Sequence, residues 1–391
     1  MAIFSSKAPC PYCYAPIEIA KVAFRCREGG HAAGKSPCKP KPDEARKTHF
    51  NDDSAYMPAI RAQGSLVLAK SSATCSDCGG TSTIRICPRC HVPLPGDFNA
   101  DSLLVGLVGV RRSGKTVMLS VLQSELETSV ARRFDVWVKP FGAKSGLAKE
   151  LSDNRRRMTG ANEELPEQTS EGGRKEPAVF QWGEGDSTRS RRTTLFSFYD
   201  NAGEDFATVD KALSLEYLSA TSGIVLLLDP FGFPGNQDSA RAKGITIEAT
   251  SPEDVLDSLT YVLRTARGLK QRKKISQPIA VVISKIDAFF DQIPEGHPLR
   301  QPSSQRRVFS ASEAQTVHDH VGALIESWGG DGLIRMLESN YSTYRLFGAS
   351  ALGAEPDYVA GRVNSRGILP HRVSEPLLWV LSQYKIVPTE D

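Results

Sequence analysis

Asp101-Ser-Leu-Leu-Val-Gly-Leu-Val-Gly-Val-Arg-Arg-Ser-Gly-Lys-Thr116 opens with an apolar run of the length of one buried strand and passes directly into GxxxxGKT, beginning at Gly109. The pattern from Val117 to Leu126 then reads as a helix. Strand, glycine-rich turn and helix in this order describe a phosphate-binding loop. The glycines let backbone N–H groups wrap a β-phosphate at a helix N-terminus. Lys115 reaches the β- and γ-oxygens, and the Thr116 hydroxyl ligates Mg²⁺. The candidate phosphate-binding residues are Gly109, Arg112, Ser113, Gly114, Lys115, Thr116 and Val117.

Further along, Leu195 to Tyr199 reads as a strand ending in Asp200-Asn-Ala-Gly203-Glu204. At the C-terminal edge of a strand, this DxxG lets Asp200 reach Mg²⁺ through water while the Gly203 N–H meets a γ-phosphate. Gly223 to Asp229 predicts another strand and Pro252 to Lys270 a helix. Pro278 to Ser284 predicts a strand leading into Ser284-Lys285-Ile286-Asp287, and Tyr344 to Gly348 one leading into Ser350-Ala351-Leu352. Alternating strands and helices imply an α/β fold with a mostly parallel central sheet. Ser374 to Tyr384, with a capping serine and an early proline, reads as a closing helix whose apolar residues pack in the core.

All eight cysteines precede residue 91. Cys75-x2-Cys78 and Cys87-x2-Cys90, eight residues apart, have zinc-ribbon spacing, with Thr81 to Ile86 as a short strand between them and Gly79-Gly80 supplying a tight turn. Cys10-x2-Cys13, Cys26 and Cys38 form a second set. Two Zn²⁺ ions are therefore expected in residues 1–99. The knuckles can close sequentially or in a crossed arrangement. The long Cys26-x11-Cys38 gap favours sequential closure, and His31 between them reads as an exposed loop residue or as a replacement ligand.

Residues 1–99 carry 13 Lys and Arg against 8 Asp and Glu, an apparent nucleic-acid footprint. Zinc ligands bind deprotonated, so eight thiolates on two Zn²⁺ lower this excess to about +1. Charge thus gives little support to nucleic-acid binding. No apolar run approaches the length of a membrane span, and the opening residues lack the apolar stretch of a signal peptide. The thiols are accordingly expected in a reducing, cytoplasmic setting.

The ordered motifs GxxxxGKT, DxxG, [NTS]KxD and SA[KL] resemble those of Ras-like GTPases of the TRAFAC class, over about residues 101–353. The resemblance implies that Asp287 pairs with the guanine N1 and N2 hydrogens, Lys285 packs over the base, and the Ala351 N–H reads O6. It makes GTP and GDP the expected ligands and the chain a GTPase, a switch whose slow hydrolysis a protein partner accelerates. The whole chain is also similar in layout to bacterial double-GTPase proteins, which carry a cysteine-rich head before such a domain and often sit in conflict or defence gene clusters. The expected organisation is a zinc module over 1–99 and a Ras-like domain over 101–391, with an insertion around 140–192.

Three departures from the pattern matter. Ser284 stands where asparagine is usual. Asp200 lies 84 positions beyond Thr116, leaving an insertion in the region of the first switch, where Thr169 is the candidate to close over Mg²⁺ and Thr159 the runner-up. Ala178 to Trp182 is the candidate strand following Thr169. Glu204 takes the slot of the water-orienting glutamine. Lys115, Thr169, Gly203 and Glu204 form the candidate catalytic set. Arg111 and Arg112 offer an internal arginine finger, although side chains pointing to solvent are the plainer expectation. The arginine runs 155–157 and 189–192 read as a solvated mobile segment. Two further classes of function stay open: a non-hydrolysing scaffold whose zinc module recruits proteins, and a zinc-dependent nucleic-acid binder with an auxiliary ATPase.

Overall fold

The computed structural model describes residues 7–61, 70–95, 98, 103–109, 112–141, 146–160, 163–166, 177–185, 193–198, 218, 220–248, 250–358 and 360–390. A central sheet is built from β1 (Leu103–Gly109), β2 (Val136–Phe141), β3 (Ala178–Glu184), β4 (Thr193–Phe198), β5 (Gly223–Leu228), β6 (Ile279–Ile283) and β7 (Tyr344–Gly348). Their spatial order is β2-β3-β4-β1-β5-β6-β7. Only β3 runs against the rest, being antiparallel to both β2 and β4, whereas β4, β1, β5, β6 and β7 pair in parallel. β1, β5 and β6 are buried along their whole length, as expected of central parallel strands covered on both faces.

The helices are α1 (Lys115–Glu125), α2 (Gly146–Thr159), α3 (Gln237–Ala242), α4 (Pro252–Ala266), α5 (Ala311–Ser327), α6 (Asp331–Asn340) and α7 (Glu375–Gln383). The first helix extends past the expected end at Leu126, through a π-helical turn (Leu126–Val130) and Ala131–Phe134, to a left-handed stop at Asp135. α4 begins with a capping box between Ser251 and Asp254. α7 is buried from Glu375 to Ser382, so its apolar residues serve the core. Ser374 does not cap with its hydroxyl: its backbone is already helical at φ −81° and ψ −19°.

The insertion is partly structured. It contributes edge strand β2 and helix α2, whose Leu147, Leu151 and Met158 are buried in the main core. The Ser152 hydroxyl of α2 accepts from Gln123 Nε2 of α1 at 2.8 Å. Arg155–Arg157 therefore belong to a packed helix, contrary to the mobile segment expected from their charge. Residues 189–192 lie outside the described residues.

The cysteine-rich head is made of hairpins and one short helix. Lys7–Pro9 pairs with Pro16–Glu18, and Ala73–Thr74 with Thr81–Ser82. Ala23–Arg25 is the middle strand between Ala59–Arg61 and Arg85–Ile86. The single strand expected over 81–86 is thus two short strands with different partners. The helix Glu44–Phe50 is capped by Asp43, which also receives Arg25 at 2.8 Å and faces His91 Nδ1 at 2.9 Å. This head covers part of the sheet. On β3 and β4, Phe180, Trp182, Phe196 and Phe198 belong to the main core, while Val179 and Leu195 join the cluster formed around the cysteines. Side chains of a strand alternate between faces, so the head lies against the face opposite those aromatic rings. In return, Tyr14 of the head is buried in the main core.

Candidate functional site

Between β1 and α1 the chain turns through left-handed backbone at Arg112 (φ 62°) and Gly114 (φ 87°). A Cβ at Gly109 would lie 2.7 Å from the Leu227 carbonyl oxygen and 2.8 Å from Ser113 Oγ, so only glycine lets the loop lie against β5. Lys115 is buried, and its ammonium donates back to the Gly109 carbonyl at 2.7 Å. It is thereby held over the loop where phosphate oxygens can compete for it. The exposed Arg112 side chain turns to Glu248, with Nη1 3.4 Å from Oε1.

The other end of the site lies where β6 stops. The Ser284 N–H and hydroxyl both donate to the Leu228 carbonyl at 3.0 Å, so serine ties this loop to β5 through its own side chain. Lys285 adopts left-handed backbone (φ 52°), and its ammonium donates to Asp229 Oδ2 at 2.6 Å. Asp229 also accepts the Phe231 N–H at 3.1 Å. Burial pushes the Asp287 carboxyl above the ordinary aspartate range, opposed by a hydrogen bond from the Ser350 hydroxyl. Ser350, almost fully buried, also accepts the Gly353 N–H at 2.7 Å.

One cavity of about 420 Å³ joins these ends, within the range of small-ligand sites. It is lined by Arg112, Ser113, Gly114, Lys115, Thr116 and Val117 on one side and by Ser284, Lys285, Asp287, Ser350, Ala351 and Leu352 on the other. Met118, Leu165, Pro166, Gly244 to Thr246, Ala349, Pro356 and Tyr358 complete the lining among the described residues. Leu165 and Pro166 open the stretch that leads to Thr169, whereas Gly244 to Thr246, Pro356 and Tyr358 carried no motif. Thr169, Asp200, Gly203 and Glu204 lie outside the described residues, as does Arg111.

The cysteines gather in two groups, Cys10/Cys13/Cys87/Cys90 and Cys26/Cys38/Cys75/Cys78. This corrects the sequential closure expected from spacing, and it is not the crossed alternative either: the pairing is nested, the first cysteine pair closing with the fourth and the second with the third. The reason lies in strand pairing. Ala23 pairs with Ile86 and Phe24 with Arg85, so Cys26, just beyond Arg25, and Cys87, just beyond Ile86, emerge at opposite ends of the ladder. Each Cys-x2-Cys pair sits in the same knuckle. The first cysteine's carbonyl accepts the N–H four residues on, and its N–H donates to the carbonyl five residues on, at Cys10, Cys75 and Cys87 alike. The fourth residue after each first cysteine (Tyr14, Gly79, His91) is left-handed.

Within each group, sulfurs from its two halves lie 3.6 to 3.8 Å apart. A tetrahedron with Zn–S bonds of about 2.3 Å has edges of about 3.8 Å, so both donor sets fit Zn²⁺. His31 is exposed and belongs to neither group. No helix among the described residues is long and apolar enough to cross a membrane.

Comparison with known proteins agrees with this geometry. The chain is similar to a Mycolicibacterium smegmatis protein named "Putative ESX-1 scaffolding and assembly protein SaeC", 26% identical over 329 residues, covering 78% of this chain and 81% of that one. Among solved structures, the Arl6 BBS3 small GTPase of Trypanosoma brucei gives a TM-score of 0.29 at 11% identity, covering 73% of this chain and 98% of its own. The S. cerevisiae Ski7 GTPase-like domain gives 0.31 at 12% identity, covering 72% of this chain and 50% of its own. The family profile of Double-GTPase 2 matches residues 103–329, more than half the chain and all of it within the unit that holds the cavity. The chain belongs to the Double-GTPase 2 family.

Proposed function

We propose that this protein is a GTP-binding switch with slow intrinsic hydrolysis that a protein partner accelerates. The observation that carries the proposal is the cavity joining the phosphate-binding turn to the half-buried Asp287 carboxylate. Two carboxylate oxygens complement the N1–H and N2–H donors of guanine, a pair that adenine does not offer. The Ala351 N–H is available for guanine O6, and the Lys285 stem, oriented by Asp229, packs over the base. At the other end, Lys115 exchanges its bond to Gly109 for phosphate oxygens. Thr116 and Asp200 are the residues that would hold Mg²⁺, which when bound neutralises charge between the β- and γ-oxygens.

Thr169 and Gly203 are the proposed switch contacts and Glu204 the residue beside the attacking water. A carboxylate there accepts a proton or hydrogen bond from water, as glutamine does by its carbonyl, and also repels the γ-phosphate. The repulsion accounts for slow unassisted turnover. Glu204→Gln should match or exceed the intact protein in single-turnover phosphate release, and Glu204→Ala should lose most activity while still binding GTP. Full-rate hydrolysis by Glu204→Ala removes the residue from catalysis.

A second reading is favoured by the name of the M. smegmatis relative: a scaffold whose nucleotide state governs assembly, with the zinc head recruiting proteins. Similarity to double-GTPase proteins also supports a conflict or defence setting, and the thiolate head supports a cytoplasmic one. Native mass spectrometry of protein purified without added nucleotide reports bound guanine nucleotide, zinc and assembly together. Steady phosphate release from GTP favours the switch; bound GTP that is never hydrolysed favours the scaffold.

A further inference from the structure

Among the described residues lining the cavity, Tyr358 is the only aromatic one. Its position is set by a small hairpin that follows the Ser350-Ala351-Leu352 turn. Asp357 and Arg362 exchange backbone hydrogen bonds at 2.9 and 3.2 Å, Asp357 Oδ1 accepts the Ala360 N–H at 2.8 Å, and Gly361 is left-handed at φ 65°. The hairpin is anchored from two other parts of the chain. The Lys243 ammonium at the end of α3 contacts both Glu355 oxygens at 2.6 and 2.7 Å. Leu165 donates to the Gly361 carbonyl at 2.9 Å and Val363 to the Glu163 carbonyl at 2.7 Å. The ring is therefore carried on a tethered turn at the base end of the cavity.

A purine needs a flat apolar surface in addition to the edge contacts that read it. Lys285 offers an aliphatic stem whose ammonium is fixed on Asp229, and the larger apolar residues in the lining besides Tyr358 include Leu165, Ile245, Leu352, Pro166 and Pro356, none of which offers a flat aromatic face. We propose that Tyr358 is the aromatic wall of the base subsite, its ring lying against the purine, so that it sets affinity and residence time for the base and leaves the phosphates untouched. The proposal rests on the guanine-nucleotide reading above and adds a residue that none of the sequence motifs contains. The hydroxyl stays a donor across the working pH range: burial, then the nearby Glu355, Asp287 and Asp229 carboxylates, push the phenol well up.

The test compares intact protein with Tyr358→Phe and Tyr358→Ala, using displacement of a fluorescent GDP analogue by GDP, by GTP, by ATP and by inorganic tripolyphosphate. Base–aromatic stacking is strong enough to expect a ten- to hundredfold loss of GDP affinity in Tyr358→Ala, about as much in the off-rate, and near-intact affinity in Tyr358→Phe. The inhibition constant of tripolyphosphate, which has no base, should be equal in all three once the probe's own affinity for each variant is taken into account. Unchanged GDP affinity in Tyr358→Ala, or an equal loss for GDP and tripolyphosphate, overturns the assignment. ATP displacing the analogue as well as GTP from the intact protein overturns the guanine reading instead, while the contrast between nucleotide and tripolyphosphate still judges Tyr358.

Discussion

The Cys26 and Cys78 sulfurs lie 3.6 Å apart although 52 positions separate them in the chain. Nested pairing of this kind makes zinc loss a test of connectivity. Replacing Cys13 and Cys87 together by serine should remove one of two zinc ions, because both belong to one site. Replacing Cys13 and Cys26 together should remove both. Elemental analysis of the two double variants reads the difference, and the opposite pattern would restore sequential closure.

Zinc should also support the nucleotide unit from outside. Val179 and Leu195 are buried against the head on the strands that flank the insertion and the DxxG segment. Structural zinc supplies much of the folding free energy of so small a unit, so chelation uncovers that face. Hydrogen exchange in 178–184 and 193–198 should accelerate on chelation, while β6 and β7, remote from the head in the sheet order, stay protected. Unchanged exchange in β3 and β4 would mean the head does not stabilise them.

Arg112 combines left-handed backbone with a surface ion pair. Exposed pairs contribute about 0–1 kcal/mol, whereas a non-glycine residue in this region costs about 1–2 kcal/mol. Arg112→Gly should therefore unfold at an equal or higher temperature than the intact protein, and Arg112→Val at a lower one. Single-turnover hydrolysis should fall less than tenfold in Arg112→Gly. A thousandfold fall would establish the arginine finger.

The phosphate-binding turn, Ser284 to Asp287 and Ser350 to Leu352 were legible because each needs particular atoms at fixed spacing, and all three segments contribute lining to one cavity. The cysteine pairing was not, since the register of Ala23–Arg25 against Arg85–Ile86 decides it. Tyr358 was equally hidden, lying on a hairpin whose anchors at Glu163 and Leu165 are remote in sequence. In α2, the arginine run 155–157 masked the buried face formed by Leu147, Leu151 and Met158.

The raised Asp287 pKa gives opposite pH dependences for stability and for binding. A carboxyl whose folded pKa lies above its unfolded value favours the folded state when protonated. Its ionised form lowers stability above the folded pKa, and that penalty disappears as pH falls through it. Guanine donors need the carboxylate, so GDP affinity should fall as pH drops through the same pKa. Asp287→Asn should flatten the acid limb of binding and equal or exceed the intact protein in nucleotide-free thermal stability at neutral pH. A steep acid limb retained in Asp287→Asn would assign it to another group.

The most direct test of the guanine assignment is equilibrium competition against a fluorescent GDP analogue at neutral pH, with GDP, ADP and xanthosine diphosphate as competitors, on the intact protein and Asp287→Asn. The account predicts that GDP outcompetes ADP by at least about a hundredfold on the intact protein, as expected when a buried polar group is left unpaired by the wrong base. It further predicts that xanthosine diphosphate overtakes GDP on Asp287→Asn, because the amide reverses one donor–acceptor pair. Equal competition by ADP and GDP on the intact protein would contradict it.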